Sequence, residues 1–168
     1  MATSPLLITT FQPWRAHQPS NSSDDLIAAL AERRQLPANS IWIRNVPVSF
    51  ELAPIRVISE LYQHRPHTIL CCGMAENRPY LSLEQQAIKG CSVLHTSLDL
   101  KQMLQNTQLS QISYNAGSFV CNELYYRILE SIQKYKLPTA AVFVHIPILE
   151  GARKQLVLED YMSIANSL

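Results

Sequence analysis

The 168-residue sequence lacks the features that define several large classes of protein. No apolar run approaches the roughly 18 residues that a membrane-spanning helix requires, so we expect no membrane partner. The 14 basic and 13 acidic residues nearly balance, to a formal net charge of +1. The basic residues form no run, whereas a nucleic-acid-binding surface requires concentrated positive charge, so we expect no nucleic-acid partner either.

Cysteine is also scarce, and its placement excludes common metal and redox motifs. None of the four cysteines (Cys71, Cys72, Cys91 and Cys121) stands in a C-x-x-C pair. Cys71 and Cys72 are adjacent on a predicted strand, so their side chains point to opposite faces and do not easily bridge each other. This pattern favours reduced thiols and a cytoplasmic protein. The segment 1–5 has no basic flank, which argues against a signal peptide.

Apolar strands alternate with amphipathic helices along the sequence. A chain of this length with 47% hydrophobic residues can bury one full core, so we predict a single domain over residues 1–168. The alternation predicts an α/β fold, a three-layer α/β/α sandwich around a mainly parallel mixed sheet. We predict extended segments over 6–10, 40–46, 68–72, 81–88 and 139–145, and helices over 24–33 (with Ser23 as its cap), 53–64, 97–108, 120–135 and 156–167.

Unusual residues stand where the predicted strands end and helices begin. The segments 10–14 and 73–78 follow two strands, Cys121 opens a helix, and His145 ends an apolar strand. Ligands of open α/β sheets gather at such an edge. The pattern therefore predicts a site along one edge of the sheet.

Cys121 has two possible roles. It lies on the apolar stripe of its helix with Leu124, Tyr125 and Ile128, and this spacing alone favours packing in the core. Its place just after the glycine turn at Gly117 favours a nucleophile, because helix N-termini stabilise a thiolate. With a histidine nearby, we expect its pKa to lie below the ordinary value of about 8.5.

His145 also has two possible roles. A lone histidine at the end of an apolar strand can be a satisfied core residue, but its place at the strand edge before Pro147 favours a general acid/base. A cysteine at a helix start and a histidine at a nearby strand end together indicate a cysteine hydrolase.

Four segments of the chain, in order, resemble the pyroglutamyl peptidase I family of cysteine omega-peptidases. The segments 115–122 and 145–147 are similar to its nucleophile and base segments. The segment 6–14 resembles its first strand and Gly-Phe-x-Pro-Phe turn. The segment 73–78, followed by 83–88, resembles its Gly-x-Ala-x-x-Arg loop and catalytic-glutamate strand.

The resemblance implies a peptidase that removes N-terminal pyroglutamate from peptides through an acyl-enzyme. Cys121 would be the nucleophile, His145 the general acid/base and Glu84 the carboxylate that orients it. The aromatic turn would hold the flat lactam ring, and the implied substrate-binding residues are Phe11, Trp14, Asn21 and Val120. The chemistry implies no metal or organic cofactor, and homo-oligomers are compatible with the family.

Several departures from the family leave a second interpretation open. Thr10 and Arg15 replace glycines of the aromatic turn, and Met74 stands where glutamine is frequent. The stretch that ends at Leu94 lacks an arginine usual in the family, and the interval from Glu84 to Cys121 is much shorter. The alternative is a catalytically weak or inactive member that acts as a binding or regulatory module.

Overall fold

The protein is described by a computed structural model that covers residues 4–168, so the prediction about the segment 1–5 lies partly outside the described residues. The strands are β1 (Leu6–Phe11), β2 (Ser40–Val46), β3 (Thr68–Met74), β4 (Leu81–Glu84), β5 (Gln86–Lys89), β6 (Ser92–His95), β7 (Ser110–Ser113) and β8 (Ala140–Ile146). The helices are α1 (Ser22–Glu32), α2 (Leu52–His64), α3 (Leu100–Met103), α4 (Val120–Tyr135) and α5 (Arg153–Asn166).

Six strands form one sheet in the order β2-β1-β3-β8-β4-β7. The pairs β1–β2, β1–β3, β3–β8 and β4–β7 are parallel, and only the β4–β8 pair of this sheet is antiparallel. The strands β5 and β6 form a separate hairpin. The prediction of a mainly parallel mixed sheet is therefore confirmed.

Two hydrophobic cores cover the two faces of this sheet. Because successive side chains of a strand point to opposite faces, Leu70 and Cys72 enter one core while Ile69 and Cys71 enter the other. The helices α1 and α5 pack on the first face, and α2 and α4 pack on the second. Helices on both faces make the three predicted layers. The extent of the domain, residues 1–168, stays a prediction.

The region between the fourth strand and the fourth helix differs most from expectation. The predicted extended segment 81–88 is broken after Glu84 into β4 and β5, and β6 and β7 were not predicted. The predicted helix over 97–108 is wrong except for the four residues of α3. The cap of α1 is Asn21, whose side chain accepts a hydrogen bond from the Ser23 N–H, and Ser23 lies inside the helix.

In the part of the chain that the structure describes, no helix is both long and apolar enough to cross a bilayer.

Candidate active site

The predicted site residues meet at one edge of the sheet. A cavity of about 460 Å³ lies beside the carboxyl ends of β1, β3 and β8 and the start of α4. Six of the seven predicted residues line it: Phe11, Trp14, Asn21, Val120, Cys121 and His145. The seventh, Glu84, is fully buried and contacts the cavity through the ring of His145.

Glu84 and His145 form a buried pair. Strands β4 and β8 run antiparallel, with Glu84 opposite Phe143, two residues before His145 on β8. His145 Nδ1 lies 2.7 Å from Glu84 Oε1. Arg78 donates a second hydrogen bond to the same oxygen, at 2.6 Å. The ring of His145 also packs on Phe143, with 4.8 Å between ring centroids. Contacts on two sides therefore fix the imidazole.

The charges of this pair determine which nitrogen of His145 can accept a proton. Burial works to raise the pKa of Glu84, but the hydrogen bond and charge of His145 and the charge of Arg78 hold it below its ordinary value. Burial lowers the pKa of His145, against the opposing effect of Glu84. Because an ionised carboxylate only accepts hydrogen bonds, Nδ1 of the neutral ring is the donor and Nε2 carries the free lone pair.

The thiol of Cys121 lies over strand β3. A Cβ atom added to Gly73 would lie 2.9 Å from Cys121 Sγ and 2.8 Å from the ring of Phe143, so only glycine leaves room for both. Gly73 is the register partner of His145 across the β3–β8 pair. The thiol therefore lies over β3, and the neighbouring strand β8 carries the imidazole.

The expectation of a lowered Cys121 pKa is wrong. Burial raises the pKa of this thiol to about 12, and the charge of Glu84 raises it further. The N–H group of Cys121 itself and the charge of Arg78 act in the other direction but do not overcome burial. The neutral thiol is therefore the resting form, and it requires a base to become a nucleophile.

Exposed aromatic rings surround the mouth of the cavity. Trp14 is 49% exposed and packs on Phe119, with 5.9 Å between ring centroids, and Phe50 also lines the cavity. Phe11 differs from these rings because it is buried and packs on Phe143. No sequence pattern indicates a role for Phe50 or Phe119. Their place beside the turn that follows β1 depends on how distant parts of the chain fold together.

Asn21 lines the cavity but also has a local structural role. Its side-chain oxygen accepts hydrogen bonds from the N–H and hydroxyl of Ser23, and its amide donates to the Gln12 carbonyl at 3.3 Å. These contacts connect the start of α1 to the segment that follows β1.

A charged cluster joins two loops at the rim of the cavity. The carboxylate of Glu76, after β3, receives Arg15 at 3.2 Å, His17 at 2.9 Å and Gln18 at 3.1 Å, all from the segment after β1. Arg15 also lies over the ring of Trp14, 4.6 Å from its centroid. Arg15, one of the departures from the family, thus holds the aromatic turn.

Two other departures lie in segments that hydrogen bonds hold in place. Thr10 donates a hydrogen bond to Asp24 at 2.8 Å and accepts one from Trp42 at 3.0 Å, which links β1 to α1 and β2. Leu94 lies on the β5–β6 hairpin, which Asn122 holds in place. The side chain of Asn122 accepts from the N–H of Ile88 and donates to its carbonyl, at 3.0 and 2.7 Å. The residue after Cys121 therefore anchors the hairpin.

Among residues 4–168, no group of three or more histidine, cysteine, aspartate or glutamate side chains is arranged to hold a metal ion.

The chain is similar to known pyroglutamyl and pyrrolidone-carboxylate peptidases. The family model described as pyroglutamyl peptidase matches residues 84–160. A pyrrolidone-carboxylate peptidase of Enterococcus faecalis is 30% identical over 131 residues, which cover 62% of this chain and 61% of that protein. Pyrrolidone-carboxylate peptidase 1 of Caldanaerobacter subterraneus is 25% identical over an alignment of 187 residues, covering 96% of this chain and 91% of the relative.

Solved structures share the fold. Pyroglutamyl peptidase I of Bacillus amyloliquefaciens matches with a TM-score of 0.82 and 22% identity, over 96% of this chain and 95% of that one. A mutant pyrrolidone carboxyl peptidase of Pyrococcus furiosus matches with a TM-score of 0.81 and 17% identity, over 96% of both chains.

Proposed function

We propose that the chain is a member of the pyroglutamyl peptidase family of cysteine peptidases and that it removes N-terminal pyroglutamate from peptides, with Cys121, His145 and Glu84 as its catalytic residues. The observation that carries the proposal is the cavity itself, in which a thiol and a carboxylate-oriented imidazole lie beneath a group of aromatic rings. A binding module needs no such buried and charged pair, because burying charge is costly unless it is paired. The binding-module alternative is therefore not favoured.

The proposed reaction begins with proton transfer from the thiol. His145 Nε2 accepts the proton of Cys121 as Sγ attacks the carbonyl carbon of the pyroglutamyl residue. Negative charge develops on the carbonyl oxygen, and the free N–H groups of the first turn of α4 are candidate donors to it. Phe119, the N-cap residue, has no polar side chain to occupy them.

The same imidazole then completes the cycle. The carbon–nitrogen bond breaks as His145 gives its proton to the leaving amine, and the shortened peptide departs from a thioester on Cys121. A water molecule attacks the thioester and passes a proton to His145, which returns it to the sulfur as 5-oxoproline leaves. Glu84 accepts the Nδ1 hydrogen throughout and stabilises the imidazolium that forms twice.

The aromatic rings suit a flat and uncharged lactam. Trp14 and Phe119 offer exposed ring faces at the mouth, and Val120 and Phe11 form an apolar floor. Ring stacking contributes about 0.5–1.5 kcal/mol beyond burial. A protonated amine would lose its hydration among these apolar groups, so prolyl and glutamyl amides with free amines are expected to be poor substrates.

Hydrolysis of a fluorogenic amide tests the proposal. The purified protein is incubated with pyroglutamyl-coumarin amide and, separately, with prolyl-coumarin and glutamyl-coumarin amides. Release of fluorophore from the pyroglutamyl amide alone is the expected result. Cleavage of the prolyl amide without the pyroglutamyl amide would reject the assigned specificity.

A further inference from the structure

We infer that Arg78 is a positioning residue that fixes the Glu84–His145 pair relative to the loop that leads into Cys121. This inference rests on the proposed function and extends it to a residue outside the three catalytic groups. One guanidinium spans the two parts of the site: Nη1 donates to Glu84 Oε1 at 2.6 Å and Nη2 donates to the Asn115 carbonyl at 2.7 Å. The planar fork of arginine suits two acceptors at once.

The turn that carries Arg78 is itself attached to the strand of His145. The N–H of Ala75 donates to the Ile146 carbonyl at 2.9 Å, and the N–H of Arg78 donates to the Ala75 carbonyl at 3.1 Å. Ile146 directly follows His145 on β8. The guanidinium therefore starts from a backbone whose position is set by the same strand as the imidazole.

Its second contact fixes the other end of the site. Asn115 lies in the loop between β7 and α4, and its side-chain oxygen accepts a hydrogen bond from the Gly117 N–H at 2.9 Å. Gly117 has a φ of +83°, a left-handed conformation that favours glycine. The loop then enters α4 one residue before Cys121. Arg78 thus connects the shape of the nucleophile's loop to the carboxylate that orients the base.

Arg78 also changes the electrostatic environment of Cys121. Glu84 is an anion buried near the thiol and works to raise the pKa of Cys121, whereas Arg78 works to lower it. Other ionisable groups around the site are Glu76, which holds Arg15 and His17 at the rim, the buried Cys71, and Tyr125, whose hydroxyl donates to the Glu84 carbonyl. Loss of Arg78 would remove the positive charge that opposes the charge of Glu84 at Cys121.

Removal of a surface ion pair with no role in the site should have different effects. Such a pair contributes little to stability, and its removal would leave the reactivity of the thiol unchanged. The exposed Arg127 on α4, which pairs with Glu123 and Glu130, supplies a control of this kind. Arg127→Gln removes one guanidinium from the helix of Cys121 but leaves the cavity intact.

Alkylation of Cys121 tests the role of Arg78 without requiring peptidase activity. Each variant is treated with iodoacetamide at pH 8, and mass spectrometry gives the labelling rate of Cys121 relative to the exposed Cys91 of the same molecule. We expect Arg78→Met to lower this ratio about tenfold, because nearby charges shift a pKa by about one unit or more. Arg78→Lys keeps the charge and should keep the ratio within about twofold.

Turnover of the pyroglutamyl amide separates charge from geometry. Lysine cannot span both acceptors, so Arg78→Lys should lower kcat about tenfold or more with a smaller change in KM. Arg127→Gln should match the parent protein in both assays. An unchanged Cys121 labelling ratio in folded Arg78→Met, or full turnover in Arg78→Lys, would overturn the inference. If Arg78→Met does not fold, the Arg78→Lys comparison decides. Failure of the parent protein to cleave the amide would refute the proposed function, while the labelling ratio would still test Arg78.

Discussion

The inner and outer halves of the cavity are built in opposite ways. In the inner half, Glu84 and His145 are almost fully buried, and short hydrogen bonds fix them. In the outer half, Trp14, Phe50 and Phe119 are about half exposed, and the rim is held by ion pairs open to water. The groups proposed to move protons are therefore fixed before a substrate arrives. The groups proposed to bind the substrate have room to adjust to it.

Removal of the buried charge should have the largest effect. Glu84→Gln replaces a carboxylate that only accepts hydrogen bonds by an uncharged amide that can also donate, so the tautomer of His145 is no longer fixed. We therefore expect kcat to fall by about 10² to 10⁴ with KM nearly unchanged. The measurement is steady-state hydrolysis of the pyroglutamyl amide. Glu130→Gln, a similar change in an exposed ion pair of α4, is the control and should have parent-like kinetics. Parent-like kcat in Glu84→Gln would remove Glu84 from the mechanism.

A methyl group at Gly73 should disturb the nucleophile next most strongly. The Cβ of Gly73→Ala would press on Cys121 Sγ and the Phe143 ring, each within 3 Å. Displacement of the thiol by about 1 Å can cost about 10²-fold in rate, and overpacking should destabilise the fold by about 1–3 kcal/mol. Kinetics and urea unfolding measure the two effects. Full activity at unchanged stability would show that the thiol does not lie over β3.

Truncation of the outer rings should have a milder effect, and on a different parameter. Trp14→Ala or Phe119→Ala should each raise KM about two- to tenfold, with a smaller change in kcat, because ring contacts of about 0.5–1.5 kcal/mol act in ground and transition states alike. Tyr135→Ala supplies the control, since Tyr135 forms an exposed aromatic pair with Tyr62 at the other end of α4. A fall in kcat alone would give these rings a role in catalysis instead of binding.

The smallest effect concerns stability in acid. A lowered folded-state pKa of Glu84 gives stability above its unfolded pKa that is lost as the pH falls through the folded value. His145, also lowered, stays neutral in the fold while the unfolded chain takes up a proton below about pH 6.5. Both groups therefore make the fold less stable as the pH falls from 7 to 4.

Melting temperatures measured over that range check this expectation. The variant with Glu84→Gln and His145→Gln should lose less stability between pH 7 and pH 4 than the parent protein. The surface pair Glu60 and His64, 3.1 Å apart, gives the matched control, and its double glutamine variant should follow the parent curve. Identical slopes for all three proteins would contradict the assigned charge states.

The sequence predicted the long, strongly patterned elements better than the short ones. The helix α4 and the strand β2 have the predicted bounds, since the apolar residues of α4 repeat with the helical period and Ile41, Trp42 and Ile43 form a short apolar run in β2. The β5–β6 hairpin was missed, although Gly90 at its turn has a φ of +58°, because four-residue strands carry little periodic signal. The helix predicted over 97–108 is wrong except for the four residues of α3, a short element with a similarly weak periodic signal.

The residues of the site also differ in how well the sequence predicted them. Residue types and strand ends pointed to Cys121 and His145, and resemblance added Glu84 and the aromatic turn. The bond of Arg78 to Glu84 and the packing of Phe119 on Trp14 join segments that lie far apart in the sequence, so they required the fold. The high pKa of Cys121 also depends on burial, which the helix-start pattern did not reveal. Cytoplasmic location and homo-oligomers stay predictions.

Capture of the covalent intermediate shows whether Cys121 is the nucleophile. The protein is mixed with a pyroglutamyl ester or amide, quenched in acid within the first turnovers, and digested for mass spectrometry, with Cys121→Ala treated in parallel. We expect one pyroglutamyl group on the peptide that contains Cys121, and neither adduct nor turnover in the variant. Turnover that persists in Cys121→Ala, or an adduct on Cys91 instead, would contradict it.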